Sequence, residues 1–586
     1  MCGIAGYFRL EDKQAPRQDA RSAIDAMNIA QKTRGPDHAD IWESQKDPSS
    51  GNSRCVLGHT RLSILDLNER SNQPMVRKRW ALAFNGEIYN FRAVKIELES
   101  EGISFETTGD TEVLLQALET WGVDKTVEKI AGMFAFAAYD QETHTLHLVR
   151  DRMGIKPLYY CVRDGAVYFA SSPAAIVKGI GTDADWKLNW DALYSYFLLG
   201  ATSGSDSLFE GVKKVDAAEA ISFRNDACLE RKRYWTPQPR QGDLAQILKT
   251  VVDEHREADV PTALFLSGGV DSSVLAALMG NVDCFHLRSE ETDMARYVAE
   301  KMGSELTVCD PLKDVDYEEI LEDYARTSGA PSASSPIPYL VSKSIRAAGY
   351  PVAFSANGGD ELFHGYSRTP SPELNQSFMP SNGYETPSVD CLVKQIRSIF
   401  RSPENFSLPG SPQSSQSFID LFESMENRYH LPDFPKSASH RWLELQTYVL
   451  QDLNPTLDYA SMAHSVEVRV PFLDHRIVEA ALTADANQHI TVDYGRKSPL
   501  KELLDQHGFH PIIWARQKMG FSLAPDAIAK LQERRLQSLG ELKRDGFLAV
   551  DARTGETWRD LTYLGSAAQA FLAWKRVWID TGIVAP

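Results

Sequence analysis

A glycine-rich loop directly after an apolar strand is the feature that most constrains the fold of this chain. Residues 263–266 read as the strand, residues 267–272 (Ser-Gly-Gly-Val-Asp-Ser) as the loop, and a helix is predicted from Val274. Strand, helix and strand signals then follow at 284–287, 294–302 and 306–309, with another strand at 352–355. Strands that alternate with helices form a parallel, doubly wound sheet, which binds ligands at the carboxyl ends of its strands.

The loop has the composition of a phosphate site. Glycines let the backbone approach a phosphate, Ser267 and Ser272 add hydroxyl donors, and the following helix contributes the positive end of its dipole. The Gly-Lys-Ser/Thr ending of a Walker loop is absent. A tight strand-to-helix turn without a ligand is the alternative interpretation.

Length and charge indicate how many domains the chain can form and which partners are unfavourable. With 586 residues, of which 43% are hydrophobic, the chain can build two to four domains. A formal net charge of -18 disfavours nucleic acid and anionic membrane as partners. No run approaches the roughly 18 apolar residues of a membrane-spanning helix, and no basic segment followed by an apolar one opens the chain. A cytoplasmic protein is expected.

Cys2 differs from the other six cysteines. All seven are scattered without CxxC or Cys/His pairs, so neither a disulfide framework nor a zinc site is predicted, and the internal six are expected to be buried. Removal of Met1 would leave the Cys2 thiol beside a free α-amine of pKa roughly 7.7 to 8.0. That residue would then carry a nucleophile and a base together.

The chain is predicted to divide into residues 2–210, a connecting segment of strands and linker at 211–242, and residues 243–586. The first part reads as stacked sheets flanked by helices, one of them around Thr111 to Trp121. Asp243 is a plausible N-cap for the helix that opens the last part. Within that part, residues 367–418 read as a long insertion with a helix near 393–400, and the remainder reads as largely helical.

Four motifs in the first part, in this order, resemble the class II glutamine amidotransferase domain, which has an αββα N-terminal-nucleophile hydrolase fold: residues 33–37, 58–63, 85–90 and 108–112. The resemblance implies that the Cys2 thiolate attacks the glutamine carboxamide and that its own α-amine shuttles the proton. A thioester and ammonia would result. Thr33 departs from the His that often precedes Arg-Gly-Pro-Asp in the family.

The same resemblance implies a role for each polar residue of these motifs. The Asn85 side chain and the Gly86 amide would form the oxyanion hole. Arg61 would grip the glutamine carboxylate and Asp110 its ammonium group, with Glu87 in the same binding site. Read without the family, Asn-Gly is typical of a hairpin turn, and Arg61 and Asp110 of a surface ion pair.

The loop of the second part resembles the pyrophosphate loop of ATP pyrophosphatases, whose members cleave ATP to AMP and pyrophosphate. Three further segments match the asparagine synthetase family: residues 461–474, 497–501 and 516–521. The resemblance thus spans nearly the whole chain. It implies nucleotide contacts from Leu266, Ser267, Gly268, Gly269, Asp271, Ser272, Leu287 and Gly358.

Further roles follow from the resemblance to this family. Asp271 and Asp360 would hold Mg²⁺, which prefers one or two carboxylates together with phosphate oxygens. Lys518 would neutralise the charge that builds up during adenylation and amide formation. Three other charged residues of the family motif are expected to form scaffold ion pairs: Glu467, Arg469 and Asp474.

Asn357 is the main departure from the family, which usually has glutamate there. An amide cannot act as a base near neutral pH, so the acceptor is either aspartate, the leading assignment, or another small carboxylate. His364 replaces a common glycine, and residues 288–293 are shorter than usual. A plain glutaminase and a lactam-forming ligase are the alternatives from other classes, and homodimerisation stays open.

Overall fold

The computed structural model describes residues 2–10, 19–46, 53–202, 204–224, 227–311, 315–366, 431–515, 525–545, 547 and 558–586. The insertion predicted at 367–418 and the predicted catalytic Lys518 lie outside these residues.

Two six-stranded antiparallel sheets are stacked in the N-terminal part. The first contains β1 (Gly3–Arg9), β2 (His38–Glu43), β3 (Cys55–Arg61), β8 (Tyr159–Arg163), β9 (Ala166–Ala170) and β11 (Val212–Lys214). The second contains β4 (Met75–Arg77), β5 (Trp80–Ile88), β6 (Gly132–Asp140), β7 (Thr145–Arg150), β12 (Glu219–Arg224) and β13 (Ala227–Arg233). Their strand orders are β11-β8-β9-β1-β3-β2 and β13-β12-β7-β6-β5-β4.

Helices cover both outer faces of this sandwich. Ala20–Ala30 and Pro173–Ile180 pack on the first sheet, and Phe91–Ser100 and Asp110–Lys129 pack on the second. The layer between the sheets is apolar and includes Ile4, Phe8, Leu57, Ala83, Ala137 and Phe169. The αββα architecture predicted for this part is therefore confirmed. The helix predicted around Thr111 to Trp121 is longer, because it continues to Lys129 across a kink at Gly122.

A five-stranded parallel sheet organises the second part. It contains β14 (Thr262–Phe265), β15 (Asp283–Leu287), β16 (Leu306–Cys309), β17 (Val352–Phe354) and β18 (Glu467–Arg469), in the order β16-β15-β14-β17-β18. The strand order reverses at β14, so this is the predicted doubly wound sheet. Its flanking helices before residue 350 are Leu244–His255, Val270–Met279, Thr292–Met302, Tyr317–Ser328 and Pro336–Ala347.

The helix after the glycine-rich loop begins earlier than predicted. It starts at Val270 rather than Val274, because Gly269 adopts an extended conformation as the N-cap and its carbonyl accepts the Ser273 amide hydrogen at 3.0 Å. Asp271 and Ser272 consequently lie in the first helical turn. The predicted cap of the preceding helix is confirmed, since Asp243 Oδ1 accepts from the amide of Ala245 at 3.0 Å.

The described elements after residue 430 are mainly helical, as predicted for the end of the chain, and a few further helices and turns lie earlier. The helices are Trp190–Leu199, Gly359–Leu362, Lys436–Glu444, Asn454–Met462, His475–Thr483, Ala486–His489, Ser498–Gln506, Ile512–Ala515, Pro525–Arg544 and Trp558–Trp578, with a π-helical segment at Leu445–Leu453 and 3₁₀ turns at Lys32–Arg34, Glu69–Ser71 and Pro471–Leu473. Strands β19 (Ile490–Thr491) and β20 (Gly495–Arg496) form a short hairpin.

The last helix and strand return to the N-terminal part. Strand β21 (Val584–Ala585) pairs in parallel with β10 (Trp186–Lys187). Trp574 and Trp578 of the last helix pack against Phe209, with ring centroids 5.5 and 5.0 Å away. One apolar core therefore contains residues from both ends of the chain.

Four internal cysteines are buried and unbridged, in agreement with the prediction: Cys55, Cys161, Cys284 and Cys309. Among the described residues, no helix combines the length and apolar character that a membrane crossing would require.

Candidate active sites

Cys2 lies just before β1 and is held against β5. Its nitrogen donates to Asn85 Oδ1 at 3.0 Å, and both residues are buried. This nitrogen belongs to a peptide while Met1 is attached and becomes the α-amine when Met1 is removed. Asn85 Nδ2 is also buried and has no hydrogen-bond partner among the described residues. A buried donor without a partner costs about 1–3 kcal/mol, so this amide suits a ligand that brings its own acceptor.

Asn85 and Gly86 do not form a hairpin turn. Both lie inside β5 and pair with Ala135 and Phe134 of β6, so the turn interpretation is wrong. Gly86 has a φ of 151°, and a Cβ there would overlap with the carbonyl of Met133. Only glycine fits this position. Because glycine has no side chain, the backbone amide of Gly86 is not covered by one.

Burial governs the protonation of the Cys2 thiol. It raises the pKa of Cys2, and the positive charge at the chain's N-terminus and a hydrogen bond from the Leu62 amide only partly offset this effect. The resting thiol is therefore protonated near neutral pH and needs a base. His59 does not suit this role, because burial lowers its pKa to about 3 and its Nε2 contacts the carbonyl of Phe84.

Arg61, the predicted carboxylate ligand, is a buried residue at the end of β3. Its guanidinium group is fixed by the Asn72 side chain and by a loop that curls around it, through four hydrogen bonds to Asn68 O, Leu65 O, Asp66 O and Asn72 Oδ1. The group is thus held in one orientation. Arg61 and Asp110 are both buried, so the surface-pair interpretation is wrong.

Asp110 and Glu87, the other two predicted glutamine ligands, are both buried near the end of β5. Asp110 opens its helix and accepts from the Ile88 amide at 2.8 Å. Burial raises the pKa of Asp110 to about 6 because it disfavours the charged carboxylate. The positive charge of an ammonium ligand would stabilise that charged form. The Glu87 side chain instead faces the second part of the chain, with Oε1 3.4 Å from Arg469 Nη2.

Arg469 joins the two parts of the chain in a fully buried position. Its Nε lies 2.7 Å from Glu467 Oε1, and its Nη1 donates to the carbonyls of His255 and Glu257. The Glu467–Arg469 ion pair expected from the sequence is present, and Glu87 extends it across the interface. Arg469 also provides the carbonyl that accepts the Ser355 amide at 2.9 Å.

We expect Arg469→Met to destabilise the protein by about 3–5 kcal/mol, because Glu87 and Glu467 would stay buried without their cation. Arg92→Met is the matched control: Arg92 also crosses the interface, to Glu257 at 2.7 Å, but 68% of its side chain is exposed. Such surface pairs contribute about 0–1 kcal/mol. Thermal unfolding of both variants checks this, and equal losses would contradict it.

Hydrogen bonds made by the serine hydroxyls of the glycine-rich loop after β14 stabilise its conformation. Ser267 Oγ lies 2.9 Å from Ser272 Oγ and accepts the Gly269 amide at 3.2 Å. Gly268 has a φ of 82°, and a Cβ there would lie 2.7 Å from the Ala295 nitrogen. Leu266 and Leu287, predicted nucleotide contacts, are buried at the ends of β14 and β15. The loop is therefore preformed beside a helix N-terminus.

Asp271 and Asp360 meet at the carboxyl ends of neighbouring strands β14 and β17. Lys497 Nζ lies 2.5 Å from Asp271 Oδ2 and 2.6 Å from Asp360 Oδ1. Burial lowers the pKa of Lys497, but the two carboxylates outweigh burial and raise it. The predicted contact Gly358 caps the short helix that carries Asp360, at a φ of 96°. No role for Lys497 was evident from the sequence, although it lies in a family motif.

Asn357 lies in the loop between β17 and Asp360, where Ser355 Oγ donates to its Oδ1 at 3.0 Å. Nearby, the hydroxyl of Tyr366 donates to Glu361 Oε1 at 2.8 Å. Burial, followed by the charge of Asp360, raises the pKa of Glu361 to about 7. The local sequence does not reveal this buried carboxyl as a titratable group near the predicted metal ligands.

Comparison with known proteins finds two domain models that match successive parts of the chain. A glutamine amidotransferase domain model matches residues 1–235, and an asparagine synthase model matches residues 243–570, more than half of the chain. A putative glutamine-hydrolysing asparagine synthetase of Mycobacterium tuberculosis H37Rv is 28% identical, covering 89% of this chain and 87% of the relative.

Two further relatives carry the same description. Glutamine-hydrolysing asparagine synthetase 1 of Bacillus subtilis strain 168 is 28% identical, with 89% of this chain and 87% of the relative covered. Asparagine synthetase B of Escherichia coli K12 is 29% identical, with 62% and 65% covered.

Proposed function

The chain belongs to the asparagine synthase family and is a ligase that takes its amide nitrogen from glutamine, and from this premise we propose that it converts aspartate to asparagine with release of AMP and pyrophosphate. The synthase domain implies the use of ATP. The relatives' names support aspartate as the acceptor.

Glutamine hydrolysis takes place at Cys2. The thiol proton passes to the α-amine as Sγ attacks the glutamine Cδ, and the new oxyanion accepts hydrogen bonds from Asn85 Nδ2 and the Gly86 amide. The unpartnered Asn85 donor supports this role. Collapse of the intermediate transfers the proton to the leaving nitrogen and releases ammonia, and water then hydrolyses the thioester. Arg61 and Asp110 select glutamine by its carboxylate and ammonium groups.

ATP binds at the carboxyl ends of β14 and β15. The loop of Ser267, Gly268, Gly269 and Ser272 provides amide and hydroxyl donors for pyrophosphate, and Leu266, Leu287 and Gly358 surround the nucleotide. Asp271 and Asp360 fit Mg²⁺, because both carboxylates already converge on one cation. Bound magnesium would neutralise phosphate charge. Lys518 is assigned to stabilising charge during adenylation and amide formation.

The acceptor carboxylate attacks the α-phosphorus of ATP, which forms an acyl-AMP and releases pyrophosphate. Ammonia from the first site then attacks the acyl carbon, loses a proton and displaces AMP, leaving the amide. The contacts of Arg469 carry the proposal that the two reactions are coupled. Its side chain contacts Glu87, next to the proposed oxyanion hole, and its carbonyl accepts from the amide of Ser355, which begins the loop that contains Asn357.

One observation favours a second acceptor. Asn357 occupies the loop position where the family usually has glutamate, and its Oδ1 is already engaged by Ser355. The remaining amide group is a donor and cannot take a proton. Amidation of another small carboxylate by the same chemistry is therefore the alternative. Pyrophosphate release across a panel of carboxylates, with each amide product quantified, tests both: asparagine must form robustly if aspartate is the acceptor.

We expect Asn357→Glu to retain or improve asparagine formation if aspartate is the native acceptor, because the new carboxylate restores a proton acceptor. If the acceptor is different, a like charge a few ångströms from an acidic ligand repels it by several kcal/mol, and native activity falls without any gain towards aspartate. Asn357→Gln, which lengthens the side chain without adding charge, is the control. Asparagine yield from each protein decides between the two acceptors.

A further inference from the structure

A buried lysine that the proposed chemistry does not use lies between the two carboxylates assigned to magnesium. Lys497 Nζ contacts Asp271 at 2.5 Å and Asp360 at 2.6 Å, with only 7% of the lysine side chain exposed. The three residues come from three separate elements: the helix Val270–Met279, the helix Gly359–Leu362 and the turn after β20. Two carboxylates that converge on one positive charge resemble the one or two carboxylates through which proteins usually bind Mg²⁺.

The surrounding backbone is shaped to let these groups meet. A Cβ at Gly365 would overlap with both the Asp360 carboxylate and Lys497 Cε, and one at Gly359 would lie 2.7 Å from Asp271 Cγ. Lys497 itself has a φ of 62°, in the left-handed region that a long side chain rarely adopts. Such backbone strain, of about 1–3 kcal/mol, persists where the surroundings enforce it, and it concentrates at functional sites.

We propose that the Lys497 ammonium occupies the cation position in the nucleotide-free enzyme, so that the divalent metal enters only together with its polyphosphate ligand. This inference rests on the proposed function, which assigns Asp271 and Asp360 to Mg²⁺. A free metal ion would have to displace an ammonium that is buried and doubly paired. A metal that arrives on a polyphosphate brings new acceptors for that ammonium. Lys497 is thus a positioning residue that makes metal binding depend on nucleotide.

Binding of Mn²⁺ alone, measured by electron paramagnetic resonance on the full chain, tests this dependence. We expect no stoichiometric Mn²⁺ binding to the wild-type protein without pyrophosphate, and binding of one ion when pyrophosphate is added. Lys497→Met removes the ammonium that pairs with both carboxylates, and this variant should bind one Mn²⁺ alone at least tenfold more tightly than wild type. Adding Asp271→Asn to that variant should abolish the gain.

Lys501→Met is the matched control, because Lys501 lies four residues further along and donates to the carbonyl of Tyr494 rather than to either carboxylate. It should leave Mn²⁺ binding unchanged. Glutamine hydrolysis at Cys2 and a cooperative melt show that each variant is folded. A folded Lys497→Met that binds Mn²⁺ no more tightly than wild type overturns the proposal.

A second outcome would also overturn the proposal: wild-type protein binds Mn²⁺ tightly without pyrophosphate, and Asp271→Asn abolishes that binding. Failure of the proposed function looks different. If Asp271→Asn leaves pyrophosphate release unchanged, the catalytic metal assignment is wrong, whatever Mn²⁺ does in the absence of nucleotide.

Discussion

Replacement of Cys2 by alanine is expected to abolish glutamine-dependent synthesis while ammonia-dependent synthesis continues. Cys2, the proposed nucleophile, lies beside the sandwich of antiparallel sheets, whereas the glycine-rich loop and the carboxylates near it belong to the part of the chain with the parallel sheet. Loss of a catalytic nucleophile lowers turnover by roughly 10³-fold or more. The measurement is amide formation with glutamine and, separately, with ammonium chloride as the nitrogen source.

Cys55→Ala is the matched control for this variant. Cys55 is another buried thiol, on the strand β3 that pairs with β1, so its replacement removes similar volume without touching the proposed nucleophile. It should support both nitrogen sources. If Cys2→Ala impairs synthesis from ammonia as severely as synthesis from glutamine, the two-site assignment is wrong.

Asp271→Asn and Asp360→Asn are each expected to lower pyrophosphate release by at least about a hundredfold, since a metal carboxylate contributes several kcal/mol of transition-state stabilisation. Basal glutamine hydrolysis should continue in both variants. In each of them Lys497 keeps one of its two carboxylate partners, so the buried ammonium is not left without a counter-charge. Release of labelled pyrophosphate and glutaminase turnover are the two measurements.

Asp293→Asn provides the comparison for these variants. Asp293 lies on the neighbouring helix Thr292–Met302 and pairs with Arg296 at the surface, with 86% of its side chain exposed. Its replacement should leave pyrophosphate release near the wild-type rate. A variant of Asp271 or Asp360 that adenylates as fast as this control would remove that residue from the proposed metal site.

Local sequence patterns predicted the architecture because each part of the chain obeys a simple periodicity. Strand–helix alternation after residue 260 forms the parallel sheet. The short strands predicted in the first 210 residues form the sandwich, together with β11, β12 and β13 from the predicted connecting segment. The errors are at boundaries. The helix start at Val270 was missed because the glycines before it were interpreted as loop throughout, although Gly269 is an acceptable N-cap.

Other features of the sites depend on tertiary contacts that no local pattern contains. The Asn85-Gly86 dipeptide favours a turn by itself, but pairing with β6 over the whole of β5 overrides that preference. Glu87 and Arg469 are separated by almost 400 residues along the chain. Lys497 is one of many lysines in the sequence, and only the fold brings it to the two carboxylates.

Because Trp574 and Trp578 share a core with Phe209, the two parts of the chain are held together by more than the segment 236–242 that connects them. Arg240 Nε in that segment lies 2.9 Å from Glu479 Oε2. Independently of this segment, β21 at the C-terminal end pairs with β10 of the N-terminal part. Proteolysis within 236–242 would therefore leave two fragments that remain associated. In the same way, an amidotransferase half taken from a relative would have to pack against the last helix and strand, which share its apolar core.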